Sequence, residues 1–156
     1  MSLFRILHAI KNTTAWVLMV SAIALHVFDE AVTDFLSLYH GVALDIRESL
    51  GFSFPPMVSF EVWLGGMIIG ILVCFALTPI VKRGGRIIRV FTIVLGILMI
   101  VNSLGHMLGS AYSGSLLPGF WSSPLLLLTA LLVIARGFRG TWAQFCRSGS
   151  ESRRAG

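Results

Sequence analysis

Four apolar stretches, about residues 14–31, 57–81, 87–112 and 122–138, dominate the chain, and the second of them, Met57 to Val81, holds a single charged side chain, Glu61. A run of about 20 apolar residues matches the hydrocarbon thickness of a bilayer, and in hydrocarbon every backbone N–H and C=O must be satisfied within the segment, which leaves the α-helix as its form. The chain has 156 residues, 56% of them hydrophobic and 12% charged, with a mean hydropathy of +0.87. No single water-soluble core of this size hides that much apolar surface. The expected fold is therefore all-α, a four-helix transmembrane bundle.

Around the four spans lie three other segments. Residues 1–12 set Leu3, Phe4, Ile6, Leu7 and Ile10 against Arg5, His8 and Lys11, the pattern of a short interfacial helix on the cytoplasmic surface. Arg5 and Lys11 ahead of an apolar core and Ala22-Ile23-Ala24 also imitate a cleavable signal, but the apolar pattern runs on through Val27-Phe28, which argues that the first span is retained. Between the first two spans, Ala31 to Pro56 mixes apolar and charged residues, as an external amphipathic segment does. Residues 139–156 form a basic cytoplasmic tail, so the membrane domain is 13–138. Cys74 within a span and Cys146 in the tail provide no disulfide framework.

The net charge of +5 does not mark a nucleic-acid binder, because the cations fall in short clusters between apolar stretches instead of along a basic helix. They act as topology signals. Of the twelve Lys and Arg residues, only Arg47 falls on one side of a four-span chain and the other eleven on the opposite side, and cytoplasmic loops hold that excess. Both termini are thus expected in the cytoplasm, with the chain in the inner (cell) membrane. The tryptophans agree, Trp16 and Trp142 marking the inner interface and Trp63 and Trp121 the outer one. Gly65, Gly66 and Gly70 in the second span, and Gly105 and Gly109 in the third, are expected to let helices approach closely, and they also leave a homo-oligomer open.

Against this apolar background the polar residues stand out. His26-Val27-Phe28-Asp29-Glu30 ends the first span, and a helix places His26 with Asp29 and Glu30 on one side. Asn102 and His106 share a face of the third span in the same way, and Glu61 opens the second. A charge facing lipid costs about 2.5–3.5 kcal/mol, so such groups turn inward or toward a cavity. At about 1.5 Å of rise per residue, all of them fall at similar heights in or near the outer leaflet. The acids taken singly also fit the plain role of marking where helices leave the membrane; His26 and Asn102 lie deeper than that role requires.

Three chemical designs suit the set. As a metal site, His26, Glu30, Glu61 and His106 offer two imidazoles and two carboxylates for zinc or iron, with Asp29 and Asn102 behind them or on the substrate. As an acid–base site, His26, Glu30 and Glu61 shuttle a proton on a lipid-soluble substrate. As a relay, the same groups serve a small ion- or proton-coupled transporter. A structural or accessory subunit, held together by these contacts, is a further alternative.

The ordered pair of motifs, His26-Val27-Phe28-Asp29-Glu30 and then Asn102-Ser103-Leu104-Gly105-His106 followed by Pro118-Gly119 and Ser123-Pro124, resembles the HXXEE family of small multi-pass membrane proteins, with Asp29 in place of the first Glu. The resemblance spans about Val20 to Leu132. It implies a multi-pass membrane location and carries no established reaction. On the residues themselves, an outer-leaflet His/carboxylate pocket that binds or acts on a membrane lipid or other lipophilic small molecule is the expected function.

Overall fold

The computed structural model describes residues 11–152, with side chains described as far as residue 137. Its described residues form six helices and no strand: α1 (Asn12–Val32), α2 (Phe35–Leu50), α3 (Phe60–Ala76), α4 (Thr78–Arg83), α5 (Arg86–Ser113) and α6 (Ser123–Ser152). The interfacial helix expected at 1–12 falls almost wholly outside the described residues. Three segments are long and apolar enough to cross a membrane, Asn12–Val32, Phe60–Arg83 and Arg86–Ser113, while the apolar part of α6, Ser123–Gly137, is shorter.

α1 is the central element. Ala15, Trp16, Met19, Val20 and Ala22 on it are buried, and Ala130 and Val133 of α6 join them in the core. The large apolar side chains pointing away from the bundle, such as Ile69, Leu72, Val101 and Leu128, are exposed. That distribution suits a lipid solvent, in which helices associate through packing and interhelical hydrogen bonds.

The second span divides in two. Its start is at Phe60, three residues later than expected, with Ser59 as N-cap accepting from the Val62 N–H. Its break is at Leu77, between α3 and α4, because Pro79 has no N–H to give the carbonyl four residues earlier and its ring crowds that turn. Near the break the Trp16 indole N–H donates to the Cys74 carbonyl at 3.1 Å, giving a buried tryptophan its partner and tying α1 to α3.

α5 and α6 run antiparallel and make the most extensive interface. Its close approach comes from two glycines other than those expected. A Cβ at Gly96 would lie 2.9 Å from Ile134 Cγ1, and one at Gly137 would lie 2.7 Å from Ile93 Cγ1, so each helix sets an isoleucine into the other's glycine. Gly65, Gly66, Gly70 and Gly105 have nothing within 4 Å of a built Cβ, and Gly109 meets only Leu117 of the following turn. Small residues permit close packing only where a neighbouring helix arrives, and α3 leans on α1 without seating those glycines against it.

α2 and the segment after it cap one end. Asp34 takes a left-handed conformation (φ 60°) that turns the chain from α1 into α2, a geometry Asp tolerates better than most residues. Three side chains of α2 then bind the returning chain: Tyr39 donates to the Pro56 carbonyl at 2.7 Å, Arg47 to Pro55 at 2.8 Å and His40 to Val58 at 3.0 Å. At the opposite end, α6 does not stop near residue 138 but continues to Ser152. The stretch 139–152 contains no proline to end it.

Candidate functional site

α1 presents His26 and Glu30 one turn apart toward α5, which presents Asn102 and His106 one turn apart toward α1. The two pairs meet. Glu30 Oε1 lies 3.0 Å from His106 Nε2 and 3.4 Å from His26 Nε2, and all three residues are buried. The imidazoles pack edge to face, ring centroids 4.9 Å apart, and Phe35 of α2 covers His106 at 5.9 Å. Asn102 donates through Nδ2 to His26 Nε2 at 2.8 Å.

Asp29 faces another way. Its Oδ2 accepts the Ser122 backbone N–H at 2.9 Å and the Ser122 hydroxyl at 2.8 Å, and Ser122 Oγ lies 2.8 Å from His26 Nδ1. Ser122 immediately precedes α6, so the Asp29 carboxylate sits at the positive end of a long helix. This accounts for a buried acid that has no cation in a salt bridge with it among the described residues. Asp29 therefore reaches His26 through a hydroxyl, behind the cluster.

Glu61 is not brought into the cluster. It is exposed in the first turn of α3, a position where an acid favours the helix dipole. α3 packs on α1 but leaves this side chain exposed, outside the group formed by His26, Glu30 and His106. Two residues of the site were not expected, Ser122 and Gly119. Gly119 is buried against the cluster with φ 78°, and a Cβ there would lie 2.9 Å from His26 Cε1, 3.0 Å from Glu30 Cγ and 3.1 Å from His106 Cε1. The Pro118-Gly119 turn and the Ser122-Ser123-Pro124 helix start were the visible signals for both.

One nitrogen each from His26 and His106 and one oxygen from Glu30 lie within 4.8 Å of one another, a group able to hold a metal ion. The spacing fits the chemistry. Metal–nitrogen and metal–oxygen bonds of about 2.0–2.1 Å put neighbouring tetrahedral ligands about 3.3 Å apart, close to the observed 3.0 and 3.4 Å.

The cluster closes one end of an apolar cavity of about 270 Å³ between α1, α3 and α5. Each helix gives it one face at helical spacing: Val20, Ile23 and Val27 from α1; Met67, Gly70, Ile71 and Cys74 from α3; Leu95, Met99 and Asn102 from α5. His26, Glu30 and Phe35 also line it. Trp16 and Met19, earlier on α1 than the lining residue Val20, do not line it and are buried in the core. When the chain is compared with protein-family models, with curated proteins and with solved structures, none of them matches it.

Proposed function

We propose that the chain is a four-span membrane protein of HXXEE type in which His26, Glu30 and His106 hold a divalent metal ion beside a cavity for a lipophilic small molecule. The observation that carries this reading is a buried two-imidazole, one-carboxylate group at the polar end of an otherwise apolar cavity. Two imidazoles and a carboxylate are a ligand set used by catalytic zinc and by non-haem iron, both of which keep positions open for substrate. Such an ion supplies Lewis acidity. The protein supplies the rest: the apolar walls take the ligand's tail and Asn102 orients its polar end, while His26, Glu30 and His106 are committed to the ion. The core around Trp16 and Met19 stands where a transport path would need polar groups, which favours a pocket over a conduit.

The fourth span in this reading is α6, which runs antiparallel along α5 and carries its cations at the end expected in the cytoplasm. Its apolar part is short for a bilayer, a mismatch met by tilt or local thinning. Inner-membrane topology with both termini cytoplasmic is tested by cysteine labelling. In a chain with Cys74 and Cys146 replaced by serine, Lys82→Cys is expected to resist a membrane-impermeant thiol reagent applied from outside while Ser49→Cys reacts. Labelling of residue 82 from outside contradicts the topology.

Gly70 tests the cavity apart from the cluster. It lines the cavity with nothing within 4 Å of its missing Cβ, so Gly70→Leu has room for its Cβ, places its side chain at the cavity wall and removes a poor helix former. The lipophilic molecules co-purifying with the protein, identified by mass spectrometry, are expected to fall about tenfold or more, the effect of losing roughly 1.4 kcal/mol of binding. Metal content is expected to stay constant. An unchanged lipid load in Gly70→Leu contradicts the pocket.

A further inference from the structure

We infer that Ser122 is a positioning residue that, backed by Asp29, holds His26 as the Nδ1–H tautomer, with the Nε2 electron pair directed at Glu30 and His106. The argument is a count of protons. A serine hydroxyl has one hydrogen to donate. Besides His26, the Ser122 Oγ has two neighbours: Asp29 Oδ2 at 2.8 Å and the Gly119 carbonyl oxygen at 3.2 Å. Both are acceptors. Asp29 Oδ2 is already committed as one, since it takes the Ser122 backbone N–H at 2.9 Å. Whichever of the two receives the hydroxyl proton, none remains for His26, so at 2.8 Å His26 Nδ1 must donate to Ser122 Oγ.

With the proton on Nδ1, Nε2 carries the lone pair. The opposite side of the ring agrees, for the Asn102 amide nitrogen, a donor, faces Nε2 at 2.8 Å. Ser122, His26 and Asp29 are all buried, and in such surroundings water does not compete for these bonds. Metal-binding histidines are commonly oriented by a hydrogen bond from the second ring nitrogen to a carboxylate or carbonyl. Here a serine is inserted between the imidazole and the acid, and Asn102 covers the lone pair until a better partner takes it. The carboxylate is anchored in turn by the N-terminal end of α6, so the last helix sets the chemistry of a residue on the first.

This inference rests on the metal-site reading above, and two readouts separate them. Nitrogen-15 NMR of histidine-labelled protein without metal is expected to show His26 protonated at Nδ1 and bare at Nε2. Ser122→Ala is expected to remove that preference and weaken Zn²⁺ binding 10–100-fold, with Ser122→Thr, which keeps the hydroxyl, restoring both. If the wild-type chain binds no Zn²⁺, the metal reading falls and the tautomer alone decides the relay. If Ser122→Ala fails to fold, the wild-type tautomer again decides. A wild-type His26 protonated at Nε2, or a folded Ser122→Ala chain with unchanged tautomer and Zn²⁺ affinity, overturns the inference.

Discussion

Gly119→Ala is expected to eliminate metal binding and to destabilise the protein by about 2–5 kcal/mol, combining a left-handed-backbone penalty of about 1–2 kcal/mol with overpacking of about 1–3 kcal/mol. The methyl group would stand 2.9–3.1 Å from carbon atoms of His26, Glu30 and His106 at once, well inside the roughly 3.5–4.0 Å of a favourable carbon contact. All three are buried and held by partners on other elements, so none can retreat without separating the cluster. Gly114→Ala is the matched control. Gly114 has φ 66° but nothing within 4 Å of a built Cβ, so it carries the backbone penalty alone and is expected to keep full metal affinity. Zinc titration and thermal unfolding of both variants check this; equal behaviour contradicts it.

Removing a ligand has the second large effect. His26→Ala and His106→Ala are each expected to abolish stoichiometric metal binding, beyond the 10–100-fold loss typical of residues that only orient ligands. They differ in their effect on the fold. His26→Ala removes the hydrogen bonds to Ser122 and Asn102; Ser122 keeps its bond to Asp29, and the Asn102 amide left unsatisfied in a buried site costs about 1–3 kcal/mol. His106→Ala removes the imidazole donor at 3.0 Å from Glu30 and strands a buried carboxylate, which costs more than a neutral group, so the larger loss of stability is expected there. Glu30→Gln keeps the side chain's shape and still offers hydrogen bonds to both imidazoles, and it is expected to lose metal while the protein stays folded. Metal content by mass spectrometry beside thermal unfolding checks all three; retention of metal by either histidine variant contradicts the shared site.

Residue periodicity made the polar pairs legible. His26 with Glu30 and Asn102 with His106 are each four apart, and a helix has no choice but to align them. Rise per residue gave their heights, and the cost of exposing them to lipid gave the direction in which they turn. Glu61 shows where that reasoning stops, because height along a helix says nothing of the helix's rotation or of which neighbour it leans on. α3 leans on α1 and carries Glu61 on an outer face. Ser122 was hidden for a different reason: a hydroxyl has no charge to make its burial costly and no periodic partner, and its role depends on α6 returning to the Asp29 end of α1. The glycines repeat the lesson. Gly66-x-x-x-Gly70 has the spacing of a contact motif but meets no neighbour, and Gly70 lines a cavity, whereas Gly96 and Gly137, which form no such motif together, make the tightest helix contact. The break at Pro79 was legible in principle, since proline cannot continue the hydrogen-bond ladder of the preceding turn.

X-ray absorption at the zinc edge of the zinc-loaded, full-length protein tests the metal centre most directly. The account predicts a single zinc per chain whose nearest shell contains two imidazole nitrogens and a carboxylate oxygen at about 2.0–2.1 Å, with the imidazole signal lost in His106→Ala. A wild-type chain that takes up no stoichiometric zinc, or one whose zinc shell lacks imidazole, would contradict it.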